Sequence, residues 1–247
     1  MMRAESLALA RRMVEREMAA VNGVGMSARL FVPAQHYSEH RLLPLVVILH
    51  SAGGNGTDNQ GQLDEIVQKY MSPSIQNTYP SFVLAPQCPH GMQWTDLKYS
   101  MTPYRNYSID DAPESNRMSA IVQSIHDLCE EFPIDPNRVY ITGFSMGSSG
   151  TWDLLVRHPD LFAAGITMSG ICAPNSAMKL TKIPIWAFHG LFDAISPVAN
   201  TMQMVDTVRR CGGRIRFTPL PMGHSVAGFV VRFDTVFKWL FQQVRVP

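Results

Sequence analysis

Two kinds of apolar pattern follow one another along this chain. Short, mostly apolar runs predict strands; these are Leu45–Leu49, Phe82–Ala85, Val139–Thr142, Ala163–Met168, Ile183–Phe188 and, as a final short strand, Arg214–Pro219. Segments with apolar residues at helical spacing predict helices; these are Leu63–Tyr70, Ser115–Phe132, Trp152–Val156, Met202–Cys211 and Phe229–Val244. Strands that alternate with helices are typical of an α/β protein with a layered sheet.

The first 24 residues fit two different patterns. Ser6–Val21 is rich in Ala, Leu, Met, Arg and Glu, which favour a helix. From Met13 onward, however, the side chains alternate in character, and Asn22-Gly23 is a strong hairpin signal. We expect a strand from about Met13 that pairs with Ser27–Val32, with a helix as the alternative. Residues 1–247 then form a single domain, with residues 1–24 as an N-terminal extension.

One long segment shows no period. Gln87–Glu114 follows the strand Phe82–Ala85 and holds Trp94 and several tyrosines among polar residues. An unpatterned loop of this length in a compact domain is more often functional than idle. Further on, residues 135–137, Asp-Pro-Asn, predict a turn that leads into the strand Val139–Thr142.

Composition narrows the class of protein. The chain has 247 residues, 46% of them hydrophobic, which suits one large core. A net charge of +1 gives no reason to expect nucleic acid or a membrane surface as a partner. The four cysteines lie far apart with no Cys-x-x-Cys pair, so we expect neither a zinc site nor a disulfide-dense scaffold, although their even number would allow a disulfide. No metal and no cofactor are expected. Charged residues interrupt the N-terminal segment where a signal peptide would be apolar, and no run is long enough to span a bilayer. These features predict a soluble, cytoplasmic protein. They do not specify its oligomeric state.

A motif for nucleophilic catalysis follows the strand Val139–Thr142. Residues 143–147 read Gly-Phe-Ser-Met-Gly, and small residues continue into a predicted helix. In such a nucleophile elbow, Ser145 sits on a sharp strand-to-helix turn that projects its hydroxyl from the sheet. The neighbouring backbone is then too close for side chains at positions 143 and 147. An ordinary Gly/Ser turn is the alternative, but the strand before and the helix after favour the elbow.

Serine needs a base, and the base needs an acid that orients it. In this architecture the chain order is Ser, then Asp or Glu, then His. His224 follows the last predicted strand and is the predicted base, whereas His158 ends a helix and His189 precedes every suitable acid. Asp193 follows the strand Ile183–Phe188 and is the predicted acid. Asp206 and Asp234 lie within helical patterns and are expected to face solvent.

A tetrahedral intermediate needs hydrogen-bond donors for its oxyanion. One is expected to be the backbone N–H of Met146, directly after the nucleophile. The second is expected in the loop after Leu45–Leu49, where the Ala52 N–H is favoured and Ser51 or Gly53 are the alternatives. No Gly-Lys-Ser/Thr follows the glycines of this loop, so a nucleotide site is not predicted.

Taken together, the motifs resemble a known family. They occur in matching order over roughly residues 25–240: residues 49–54, 85–89 with Trp94, 135–140, 143–147, 188–190 with Asp193, and 223–224. The chain resembles the α/β-hydrolase serine esterases related to polyhydroxybutyrate depolymerases, feruloyl esterases and proteins labelled predicted peptidases of the prolyl-oligopeptidase type. The resemblance implies an α/β-hydrolase fold, with a mostly parallel central sheet and helices on both faces. It also implies carboxylester hydrolysis with Ser145, Asp193 and His224 as the triad.

This sequence departs from the family pattern in three places. Ser51 stands where Gly usually follows His, Ser148 stands where a second Gly often follows the elbow, and residues 225–228 lack the usual acidic and aromatic residues. None of these changes removes a catalytic group, but they bear on the choice of substrate.

The predicted activity is that of a serine carboxylesterase acting on short-chain or aryl esters through an acyl-enzyme, with a small-molecule ester as its partner. Trp94 and Ser51 are predicted to contact the substrate; the alternative for Trp94 is that it anchors its loop in the core. A serine peptidase or amidase, a depolymerase of hydroxyalkanoate oligomers, a lipase and a non-catalytic binding protein are the competing interpretations.

Overall fold

The computed structural model describes residues 2–21, 24–34, 41–96 and 108–245. Within them, one sheet has eight strands in the order β1-β2-β4-β3-β5-β6-β7-β8. The strands are β1 (Val14–Val21), β2 (Val24–Phe31), β3 (Leu43–Leu49), β4 (Phe82–Pro86), β5 (Ile134–Phe144), β6 (Ala164–Met168), β7 (Ile185–Gly190) and β8 (Ile215–Leu220). Strands β3 to β8 are parallel, and β2 pairs antiparallel with both β1 and β4. The mostly parallel sheet confirms the predicted fold class.

Helices cover both faces of this sheet. They are α1 (Met2–Ala10), α2 (Glu65–Tyr70), α3 (Pro73–Gln76), α4 (Asn116–Glu131), α5 (Met146–Arg157), α6 (Val198–Arg210), α7 (Ala227–Val230) and α8 (Asp234–Phe241). Successive residues of β3 point into two different apolar clusters. Leu45 and Val47 pack with residues of α4, α5 and α6, whereas Val46 and Ile48 pack with residues of α1, α2 and α8. Alternation along a strand buried on both faces therefore builds two cores at once.

The N-terminal segment holds both of the elements that its sequence suggested. Helix α1 ends at Ala10, and β1 then runs antiparallel to β2 with Val14 opposite Leu30. The proposed hairpin residues Asn22 and Gly23 lie outside the described residues. No helix in the described part of the chain has the length and apolarity needed to cross a membrane.

Two predicted elements are wrong in detail. The closing helix Phe229–Val244 is two helices, α7 and α8, because Phe233 between them has an extended backbone (φ −90°, ψ 111°). Residues 135–137 do not precede a strand but lie within β5, where the pairing with β3 is irregular. Asp135–Arg138 there lies opposite Pro44 alone, and Asp135 Oδ1 accepts the Asn137 N–H at 2.9 Å. Asp-Pro-Asn is a turn-forming sequence, but the residues on either side of it pair with β3, so the segment forms a bulge within the strand.

Candidate active site

Ser145 occupies a strained turn between β5 and α5. Its backbone has φ 55° and ψ −117°, a region that residues other than glycine rarely adopt. Its N–H donates to the Met168 carbonyl at 2.9 Å. A Cβ on Gly143 would lie 2.3 Å from the Gly147 carbonyl oxygen, and one on Gly147 would lie 1.9 Å from the Leu49 carbonyl oxygen. The close approach of three backbone segments explains both glycines of the motif.

Three side chains form a hydrogen-bonded series at the carboxyl edge of the sheet. Ser145 Oγ lies 2.8 Å from His224 Nε2, and His224 Nδ1 lies 2.8 Å from Asp193 Oδ2. Each residue follows the end of a parallel strand, β5, β8 and β7 respectively, so the parallel sheet brings the three together. With Nδ1–H donating to the carboxylate, Nε2 is free to accept from the serine hydroxyl.

Asp193 is held as a carboxylate. Its side chain is fully buried, and its Oδ1 accepts the N–H groups of Ile195 at 2.9 Å and Ser196 at 2.8 Å. Burial alone would raise the pKa of Asp193, but the hydrogen bonds from Ser196, His224 and Ile195 outweigh it and hold that pKa below its usual range. The acid therefore stays charged when its partner imidazole gains a proton.

The other sequence candidates lie elsewhere. His158 caps the end of α5 and its Nε2 contacts Glu114 Oε2 at 2.6 Å, so it is paired rather than simply solvated. Asp206 on α6 and Asp234 at the start of α8 are exposed, as expected. His189, which the chain order excluded as the base, is buried and contacts Asp193, an arrangement that the sequence did not reveal.

The predicted oxyanion donors lie on adjoining segments. Met146 is the first residue of α5, and Ala52 begins a short 3₁₀ turn, Ala52–Gly54, after β3. Among the described residues, neither backbone N–H has a hydrogen-bond acceptor. Because Gly147 packs against the Leu49–His50 backbone, the loop that carries Ala52 lies directly beside the elbow.

His50 holds this loop in place through its ring, a role that was not predicted from the sequence. Its Nδ1 lies 2.6 Å from the Ser51 carbonyl oxygen, and its Nε2 accepts the Cys88 N–H at 2.9 Å. Burial lowers the pKa of His50 to about 4, so the ring is neutral at pH 7. Its ring fills the place of a side chain at Gly54. A histidine between a buried strand and a glycine-rich loop was the available signal.

The prediction that Trp94 lines the substrate site is wrong. Its side chain is fully buried, and its Nε1–H donates to the His50 carbonyl oxygen at 3.0 Å. Its ring packs on the His50 ring with centroids 5.0 Å apart, and its own carbonyl accepts from Ser115 Oγ. The alternative, that Trp94 anchors its loop in the core, is the correct one. Trp94 therefore contacts His50, which holds the oxyanion loop, and does not contact the substrate.

A cavity of about 680 Å³ lies beside the proposed oxyanion loop, and Phe144 of the elbow lines it, whereas Ser145, Asp193 and His224 do not. Ser51 and Gly53 are among its lining residues, together with further residues of the loop between β3 and α2 and residues of α1 and α2. Contact of Ser51 with the substrate stays a prediction. The acidic lining residues are Glu5, Asp58, Asp64 and Glu65, and no Lys or Arg lines it within the described residues. Burial raises the pKa of Asp64 to about 6, which is still below 7, so this carboxyl is mostly ionised at pH 7.

A serine on a strained elbow, hydrogen-bonded to histidine and aspartate at the carboxyl edge of a mostly parallel sheet, defines an α/β hydrolase. More narrowly, the chain belongs to the phospholipase/carboxylesterase family, which matches residues 35–235. The resemblance to α/β-hydrolase esterases is thereby confirmed.

Individual relatives agree with this family. The chain is 23% identical over 217 residues to a probable carboxylesterase of Arabidopsis thaliana, covering 81% of this chain and 79% of that one. It is 29% identical over 127 residues to feruloyl esterase B of Talaromyces funiculosus, covering 51% of this chain and 32% of that one. Among solved structures, a thermostable esterase superimposes with a TM-score of 0.86 at 32% identity. The match covers 96% of this chain but 64% of that esterase.

Proposed function

We propose that this protein is a serine carboxylesterase that works through an acyl-enzyme. The observation that carries the proposal is the hydrogen-bonded series from Ser145 Oγ through His224 to Asp193. Next to it lie the Met146 and Ala52 N–H groups, which have no acceptor in the described part of the chain. A nucleophile, its base, the orienting acid and two oxyanion donors are the groups that acyl transfer requires. The family membership and the carboxylesterase relative support the same conclusion.

The proposed reaction has two halves. Ser145 Oγ attacks the ester carbonyl carbon while its proton moves to His224 Nε2, and the oxyanion accepts from the Met146 and Ala52 N–H groups. The bond to the alcohol then breaks, and His224 returns the proton to the leaving oxygen. Water next attacks the acyl-enzyme, His224 takes its proton, and Ser145 leaves with that proton as the acid is released. Asp193 keeps the imidazole in one tautomer throughout.

We propose short-chain or aryl esters as the substrates. A cavity of about 680 Å³ has the size of a small-molecule site. For an ester that extends past Phe144 into this cavity, the acidic lining favours a neutral or cationic group over an additional carboxylate. The feruloyl esterase relative supports an aryl acyl group.

Two further parts of the proposal concern the chain as a whole. A single domain over residues 1–247 is supported by α1, where Ser6 Oγ donates to the Leu63 carbonyl at 3.2 Å and Leu9 joins a core cluster. A cytoplasmic location is supported by the four cysteines, all of which are free thiols. Fractionation of cells that produce the protein would test the location.

The experiment that tests the function is an ester panel run on the wild-type protein and on Ser145→Ala. Nitrophenyl esters of increasing acyl length would be compared with peptide anilides and hydroxyalkanoate oligomers. We expect hydrolysis of the short and aryl esters, and a loss of about 10⁴-fold or more in kcat for Ser145→Ala. A fluorophosphonate should label the wild-type protein on Ser145 alone. Near-full activity in Ser145→Ala would overturn the proposal, and faster cleavage of anilides would favour the peptidase alternative.

A further inference from the structure

The carboxylate of Asp193 contacts a second imidazole in addition to that of His224. Asp193 Oδ2, the oxygen bound by His224 Nδ1, also lies 3.1 Å from Nε2 of His189. His189 lies in β7, and its side chain is 1% exposed. Two backbone N–H groups donate to Oδ1 and His224 Nδ1 donates to Oδ2, so the His189 ring nitrogen adds a fourth polar contact to this carboxylate.

The contacts of His189 define its tautomer. Nε2 lies 3.1 Å from Asp193 Oδ2 and 2.8 Å from the Ser196 carbonyl oxygen, and both of these groups only accept. Nε2 must therefore carry a hydrogen. Nδ1 lies 2.8 Å from Thr201 Oγ1 and, lacking a hydrogen, accepts from that hydroxyl, whose contact with the Gly170 carbonyl oxygen is longer at 3.4 Å. Burial lowers the pKa of His189, so the ring remains in this neutral form.

Charges around the ring are few. Within the described residues, Asp193 and His224 are the titratable groups that act on His189, and Thr201 presents a neutral hydroxyl from α6. Ser196 closes a small ring of hydrogen bonds, since its N–H donates to Asp193 Oδ1 and its carbonyl faces His189. The carboxylate cannot rotate without breaking bonds on both of its oxygens.

We infer that His189 is a positioning residue that holds Asp193 and limits how strongly this carboxylate attracts the proton on His224. The inference rests on the proposed function of the three residues. The Nε2–H of His189, 3.1 Å from the oxygen that His224 also uses, draws charge from that oxygen and weakens the attraction between the carboxylate and a proton on His224. The hydrogen bonds that link His189, Ser196 and Asp193 keep the carboxylate in the orientation that the base requires.

Three variants separate this role from simple packing. His189→Leu fills the space but has no donor, whereas His189→Gln can place an amide N–H near the position of Nε2. Thr201→Val is the matched control, because it disturbs the opposite nitrogen of the same buried ring without touching Asp193. Thermal unfolding would first establish that each variant is folded at the assay temperature.

Two readouts follow the proton on His224. The first is an NMR titration of the His224 ring, which needs no ester. The second is the pH profile of kcat and kcat/KM. In His189→Leu we expect both midpoints to rise by roughly half a pH unit, because a polar N–H 3.1 Å from the carboxylate oxygen is removed. We also expect kcat to fall about tenfold at little change in KM, since misplacement of the base affects the transition state. His189→Gln should restore most of the midpoint, and Thr201→Val should lose stability without moving it.

The outcomes are distinct. An unchanged His224 titration in His189→Leu, or an equal shift in Thr201→Val, would overturn the positioning role. If the titration shifts as expected but the wild-type protein cleaves no ester, the positioning role stands and the proposed function fails. If the wild-type protein is an active esterase and neither readout responds to His189→Leu, the proposed function stands and the positioning role fails.

Discussion

At the scale of single residues, backbone contacts around the elbow leave no room for a side chain. Gly147 lies against the carbonyl groups of Leu49 and His50, which lead into the proposed oxyanion loop. The glycine therefore controls how closely the loop approaches Ser145. Trp94 fixes the position of the same loop through the hydrogen bond that its Nε1–H donates to the His50 carbonyl oxygen.

Gly147→Ala should damage both folding and activity. Its new Cβ would lie 1.9 Å from the Leu49 carbonyl oxygen, so the backbone must shift. We expect a loss of more than about 3 kcal/mol in the free energy of unfolding. Gly25→Ala is the control, because nothing lies within 4 Å of a Cβ there. Its expected change is within about 0.5 kcal/mol. Chemical denaturation checks both values, and a mild effect of Gly147→Ala would contradict the close packing.

Trp94→Phe should lower kcat while leaving KM nearly unchanged. The variant keeps a ring in the core but loses the N–H donated to the His50 carbonyl. Looser placement of the Ala52 N–H weakens binding of the oxyanion, which exists only after the attack, so we expect about a tenfold fall in kcat.

Trp152→Phe is the control for Trp94→Phe. Trp152 is equally buried, but its Nε1–H has no partner within the described residues. It should change stability without a comparable change in kcat. Steady-state kinetics give kcat and KM of both variants and so test this difference. A rise in KM at constant kcat for Trp94→Phe would mean that Trp94 contacts substrate after all.

At the scale of elements, the start of α2 combines helix capping with the acidic wall of the cavity. Asp64 Oδ1 accepts the N–H groups of Ile66 at 2.9 Å and Val67 at 3.2 Å, which satisfies the free donors of the first turn. The same carboxylate is largely removed from water, and burial raises its pKa to about 6. Capping therefore stabilises α2, while the buried charge opposes folding at neutral pH.

Asp64→Asn should stabilise the protein at pH 8 but not at pH 4. Asparagine caps a helix about as well as aspartate, and it carries no charge. Above pH 6 the variant avoids the cost of the buried carboxylate, on the order of 1–2 kcal/mol. Below pH 4 the carboxyl of the wild-type protein is protonated in both states, so the difference disappears. Melting temperatures at the two pH values test this, with Asp64→Ala as the control that loses the cap. Equal gains at both pH values would contradict the assignment to charge.

At the scale of the whole molecule, buried histidines set the response to acid. Burial lowers the pKa of His50 to about 4, and that of His189 also lies below its ordinary value. In the unfolded chain both rings take up protons as the pH falls through about 6.5. The folded protein binds fewer protons than the unfolded one between pH 6.5 and 4, so its free energy of unfolding falls as the pH falls. Asp64 has the opposite effect between about pH 6 and 4, since there the folded state binds the extra proton.

The melting temperature should therefore be lower at pH 5 than at pH 7. The fall should be steeper in Asp64→Asn, which lacks the opposing contribution. Thermal unfolding of the two proteins at pH 7, 6 and 5 is the measurement. A melting temperature of Asp64→Asn that is constant over this range would show that the two histidines take up protons in the folded protein as in the unfolded one, contrary to their burial.

Much of this architecture could be predicted because local patterns carry it. The apolar run Leu45–Leu49 is a strand buried on both faces, and the helical spacing of Ser115–Phe132 is α4, which begins after the Ser115 cap. The break between α7 and α8 was not predictable in this way, since apolar spacing continues through residue 233. The bulge at Asp135–Arg138 likewise depends on pairing with a strand that lies far away in the sequence.

The sequence alone determined the type of most elements and the order of Ser145, Asp193 and His224, because apolar periods and short motifs are local properties of the chain. The tertiary structure decided which residues meet across it. Trp94 contacts His50 from a distant loop, His189 shares the carboxylate of Asp193, and α1 and α2 complete the cavity beside Ser51. Contacts of this kind arise where separate segments converge at one edge of the sheet, and no spacing within a single segment specifies them.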